Sequence, residues 1–194
     1  MGDSNVDALA TFLDDADQLR IWIPEEDDAR WEDPDDHGDP MVERWGRNLA
    51  GLGPEIAVAA TIACADAITV AWTIDVGTST IDEAIDAARS SNRIDAALAR
   101  LAIDDALVKW AHTRDVWAAA RCALVAARNP ARASDELRSA ALFAYRVIGW
   151  SRHCVTNGER ALTNKLASFA AEGTDDADRC RQTLRRVLRA ALIG

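Results

Sequence analysis

Residues 55–76 read EIAVAATIACADAITVAWTIDV, twenty-two residues that are apolar on almost every side of a helix. Gly53 and Pro54 precede them, and proline at a first helical position is pre-set for the helical backbone. A helix with no polar face belongs either in a membrane or in the middle of other helices. A span needs about 20 apolar residues, and this stretch is long enough. Ala and Thr supply much of it, however, and Asp66 stands near its centre, where a charge costs about 3 kcal/mol on insertion scales. No basic flank marks an inside face. The run therefore predicts a central helix that other helices surround, with no membrane as partner.

The rest of the chain predicts those helices. Ser4 and Asp7 form a cap-like pair ahead of Val6, Leu9, Phe12, Leu13, Ala16 and Leu19, which predicts a helix over about 5–22. Met41 to Leu52 predicts a short helix. Thr80 and Glu83 have the residue types of a capping box and start a helix to about Ser90. Asn92 can cap the next, whose apolar stripe runs from Ile94 to Trp110, with a bend or restart at Thr113 and Asp115. Another apolar series runs from Val116 to Val125, until Asn129-Pro130. Ser134 caps a long helix over about 135–155, and Asn157-Gly158 makes a turn into a helix over about 159–172. The last helix follows Thr174. Its acids lie in the first turn and its arginines in the last, an order that suits the helix dipole. No strand-like alternation survives beyond a few residues. The expected fold is all-α: one domain over residues 1–194, a compact antiparallel bundle of about eight helices around the central one.

One segment stands apart. Residues 24–40, PEEDDARWEDPDDHGDP, hold nine carboxylic acids among seventeen side chains, and three prolines and Gly38 make them a loop. Residues 1–40 hold fourteen acids against Arg20 and Arg30, a net of −12, so the whole-chain net of −10 comes from this fifth of the sequence. Duplex nucleic acid would be repelled by it, which argues against nucleic acid as the main ligand. A run of carboxylates instead suits a basic protein, whose approach it would steer. Trp31, with Trp22 and Trp45 nearby, adds large apolar anchors within a charged rim, the composition of a binding hot spot, unless these rings simply pin the loop to the bundle. The candidate contacts are Glu25, Glu26, Asp27, Asp28, Trp31, Asp33, Asp35, Asp36 and Asp39. Asp33, Asp35, His37, Gly38 and Asp39 nearly match a calcium loop, but position five is His and position twelve is Arg44, where the ion needs a bidentate Glu.

Signals for chemistry are sparse. The cysteines at 64, 122, 154 and 180 form no CxxC and no zinc spacing. His153 and Cys154 are adjacent, so on a helix they point about 100° apart and make a poor dyad. Neither a phosphate-binding glycine loop nor a hydrolase or zinc-protease motif is present. No cofactor and no metal are expected. Arg181, Arg185 and Arg189 fall on one stripe of the last helix and read as a solvated ridge, or as a surface onto which the acidic loop folds. The opening MGDSNVDALATFLDD lacks the basic and apolar regions of a secretory signal, so a cytoplasmic chain with free thiols is expected. Two lysines against twenty arginines, with abundant Ala and Asp, suggest a GC-rich bacterial source.

Asp82-Glu83-Ala84-Ile85-Asp86-Ala87-Ala88-Arg89, followed by Ala-rich helices such as Val116 to Arg128, resembles the all-helical immunity proteins of bacterial polymorphic toxin systems, over residues 80–150. The resemblance implies inhibition by steric and electrostatic plugging of a basic toxin, with no chemistry of the chain's own. Two alternatives compete. One is an enzyme or small-ligand bundle with a pocket formed by Asp66, Asp104, His112 and Trp150. The other is a structural subunit of a larger assembly.

Overall fold

The computed structural model describes residues 3–19, 39–71, 79–104, 108, 111–153, 157–169 and 176–194. The central run folds as the helix α3, Pro54–Ile68, extended by a 3-10 turn over Thr69–Ala71. Residues 72–76, the end of the expected helix, lie outside the described residues. Eight further α-helices are described: α1 (Asp3–Asp14), α2 (Pro40–Ala50), α4 (Thr80–Ser90), α5 (Ile94–Asp104), α6 (Ala111–Arg128), α7 (Ala133–His153), α8 (Asn157–Ala167) and α9 (Asp176–Leu192). No strand occurs among the described residues, and the fold is the compact all-α bundle expected.

The helix α3 packs against α2, α4, α6, α7 and α9. Small side chains let the axes approach: Ala60 and Cys64 of α3, Ala119, Ala120 and Ala123 of α6, and Ala140, Ala141 and Ala144 of α7 are all fully buried. Thr61 is also buried, and its hydroxyl donates to the Ala57 carbonyl at 2.7 Å, so no polar group is left unsatisfied there. The burial of α3 is not complete on every side. Val58, Ala59, Ile62 and Asp66 reach the surface along one strip. This is how the bundle tolerates a mid-run Asp: the Asp66 side chain is 42% exposed and meets Arg89 of α4 at 3.0 Å. The window Pro54–Ala71 has the length and composition of a membrane span, yet 67% of it is buried inside the bundle.

The helices α2 and α7 approach closely at a glycine. A Cβ placed on Gly46 would lie 3.2 Å from the Cα of Arg138, tighter than an ordinary contact, so the α7 backbone would have to give by a few tenths of an ångström. Next to it, Trp45 is 1% exposed and stacks on Phe12 of α1 at 5.9 Å. Trp45 is therefore a core residue and not part of a docking rim. Trp22 and Trp31 lie outside the described residues.

Several boundaries move by a few residues, each for a local reason. Thr80 does not cap α4. It is buried, and Ser79 takes the cap position, with its hydroxyl donating to Glu83 Oε1 at 2.8 Å. The helix α4 ends at Ser91 in the left-handed region, and the Asn92 amide returns to the Ala87 carbonyl at 3.1 Å. The stripe from Ile94 to Trp110 is not one helix: α5 is described over Ile94–Asp104 and α6 over Ala111–Arg128, and Val108 between them is not helical. Thr113 and Asp115, read as a bend, are buried within α6.

Candidate functional site

The acid-rich run lies between two described anchors. At its C-terminal end, Asp39 caps α2: its carboxylate accepts from the Met41 amide at 2.9 Å and the Val42 amide at 3.3 Å. The same carboxylate accepts from Arg181 Nε of α9 at 2.8 Å, in a pair only 16% and 9% exposed. The phenol of Tyr145 on α7 is pushed well above its ordinary range, first by burial and then by the Asp39 charge. Asp39 thus ties α2 to α9. Of the nine residues proposed as partner contacts, Asp39 is the one among the described residues, and the fold takes up its hydrogen-bonding capacity. Glu25, Glu26, Asp27, Asp28, Trp31, Asp33, Asp35 and Asp36 lie outside the described residues.

The N-terminal anchor is also on α9. After α1, a 3-10 turn over Ala16–Leu19 buries Leu19 completely. Gln182 Nε2 donates to the Ala16 carbonyl at 3.1 Å, and Arg185 donates to the Leu13 carbonyl and, through Nε, to Gln182 Oε1 at 2.8 Å. Arg189 pairs with Asp14. The two flanks of the run are therefore held by consecutive residues of one helix, Arg181 on one side and Gln182 on the other.

The arginine stripe is thus not a solvated ridge. Arg185 is 8% exposed and Arg181 16%, and the acids that Arg181 and Arg189 meet, Asp39 and Asp14, both come from residues 1–40. The reason lies in α1. It has no basic residue in its last turn, and Asp14 and Asp15 stand where its dipole is negative. The cations that this end requires come from α9 instead. Arg189 beside Asp14 holds that carboxyl below its ordinary range, and Gln18, with the Asp17 amide, does the same for Asp15. Sequence reading found Arg181, Arg185 and Arg189 as a stripe but missed Asp14 and Gln182. The mismatch between α1's charges and its dipole was the available signal.

The alternative pocket residues are scattered over several elements. Asp66 is bound to Arg89, and its carbonyl accepts from Lys165 Nζ of α8 at 2.7 Å. Asp104 is buried at the end of α5, 3.6 Å from Arg100 Nε, with its Oδ2 lacking a hydrogen-bond partner. Trp150 is half-buried on α7, and His112 lies in the first turn of α6 with its side chain outside the described residues. Three open grooves are formed by described residues: one of about 590 Å³ between α4 and α5, one of about 480 Å³ between α6 and α7, and one of about 390 Å³ over Val58, Ala59 and Ile62 of α3. None is lined by Asp66, Asp104, His112 or Trp150.

The buried thiols are poorly suited to nucleophilic work. Burial pushes Cys64 far up, and burial followed by the Glu136 carboxylate pushes Cys122 up to about 12. Cys180 is a buried thiol as well, and Cys154 lies outside the described residues. Asp115 of α6 is pushed up to about 6 by burial, against the pull of Arg146 of α7 at 3.2 Å. Among the described residues, no three His, Cys, Asp or Glu side chains converge closely enough to hold a metal ion. Comparison with known proteins finds no matching family model, no matching curated sequence and no matching solved structure.

Proposed function

We propose that this protein is a cytoplasmic protein-binding module that masks a basic protein partner, in the manner of an immunity protein against a bacterial toxin. The observation that carries the reading is a separation of charge with an anchored boundary. Residues 1–40 carry a net of −12 against +2 for residues 41–194, and both flanks of the acid-rich run are held on consecutive residues of α9. Concentrated negative potential speeds the encounter with a basic surface. Fixed flanks reduce the freedom that binding must remove. Trp31 supplies an apolar anchor among the charges, and inhibition needs no reaction, only coverage of the partner's basic site.

The test is affinity capture from the native cell with two baits. One is the unaltered chain. The other carries Gln or Asn at Glu25, Glu26, Asp27, Asp28, Asp33, Asp35 and Asp36, and keeps Asp39, because losing that cap would unseat α2. The unaltered bait is expected to hold a basic protein at low ionic strength and to release it as salt rises. Undiminished capture of the same protein by the neutralised bait would overturn the proposal.

A further inference from the structure

We infer that Asp3–Leu19 form a separately releasable strap, and that Arg185 of α9 is the latch that holds it. Three observations carry this. First, α1 has only twelve residues, a length at which an isolated helix is marginal, and its end bears Asp14 and Asp15 with no cation of its own. Second, the missing partners come from one turn of α9: Arg185 donates to the Leu13 carbonyl, orients Gln182 through a 2.8 Å bond, and Gln182 donates to the Ala16 carbonyl at 3.1 Å. Third, α1 packs chiefly on α9, with Phe12 reaching Trp45, while the bundle centre is made by α3, α6 and α7.

Leu9, Leu13 and Leu19 are fully buried and supply the adhesion of the strap. They do not satisfy the carbonyls at its C-terminal end, of which that of Leu13 is buried and that of Ala16 part-buried, and which take their donors from the guanidinium and the amide. Removing Arg185 strands those acceptors and unlocks Gln182, yet leaves the Ala-packed centre unchanged. Segments held this way open locally, ahead of global unfolding. In function, a point that rests on the docking reading above, the latch sets where the acid-rich run leaves the body.

Native-state hydrogen exchange tests this without any partner, so it stays informative even if the docking reading fails. Arg185→Leu is expected to speed amide exchange in residues 5–19 by about tenfold or more, with little change in α3, α6 and α7. Arg185→Lys keeps a donor for the Leu13 carbonyl and is expected to recover part of the protection. Unchanged exchange in residues 5–19 would overturn the inference. So would equal acceleration throughout the molecule, or failure of Arg185→Leu to fold, since either result makes Arg185 a support of the whole bundle.

Discussion

Residues 3–19 with Asp39, and the trio α3, α6 and α7, are stabilised by different means. In the trio, buried alanines bring helix axes together, few charges intervene, and the buried Thr61 hydroxyl is satisfied within its own helix. The N-terminal segment is secured by buried leucines together with carboxylates and carbonyls that find guanidinium and amide donors on α9. Apolar packing at this density is intolerant of change in volume, whereas exposed charge can vary with little effect on the fold.

Four measurements sharpen or break that contrast. The largest effect is expected in the trio: Ala60→Leu inserts a branched side chain where α3 meets its neighbours and should lower stability by about 3 kcal/mol, read as the shift in urea midpoint. Asp39→Ala should cost about 2 kcal/mol, because it removes the α2 cap and leaves Arg181 part-buried without this carboxylate. If Asp39→Ala proves neutral, the polar anchoring of the N-terminal segment is not what holds it.

The third measurement concerns pH. The folded pKa of Asp115 is raised to about 6 from an ordinary 3.8, so the folded state binds its proton more tightly than the unfolded state. This group's stabilisation is full below about pH 3.8 and is lost as pH rises through about 6. Over that window the unaltered protein should lose about 1–2 kcal/mol that Asp115→Asn does not lose, as denaturation at pH 4.5 and 6.5 would show. Asp14 and Asp15, whose pKa values are lowered, act in the opposite sense. Their contribution is present above the ordinary carboxylate pKa and disappears as pH falls through their lowered values, so the two effects occupy separate ranges. The smallest effect is expected from neutralising Glu25, Glu26, Asp27, Asp28, Asp33, Asp35 and Asp36, which should leave stability within about 0.5 kcal/mol. A larger loss would mean that the acids serve the fold.

The helices were legible because hydrophobic period and capping residues act within a few neighbours along the chain. Pro54 opened α3, Asn129-Pro130 ended α6, and the uniform apolarity of residues 55–71 marked the helix that others enclose. Where a boundary moved, tertiary burial had outweighed a local preference: Thr80 has the chemistry of a cap, but the core claims it and Ser79 caps instead. Trp45 has the composition of a surface anchor until Phe12 and the surrounding helices enclose it.

The candidate site divides along the same line. Local sequence was enough to dictate an all-helical chain, a buried middle helix and a concentration of negative charge near one end, because each depends on residue type at short range. The placement of Arg181, Gln182, Arg185 and Arg189 against Asp14, Leu13, Ala16 and Asp39 spans more than 140 positions. No periodicity along the chain encodes which carboxylate a distant guanidinium will meet. Folding decided that α9 lies beside both flanks of the acidic run, and so turned a stripe of arginines into the support of the N-terminal segment.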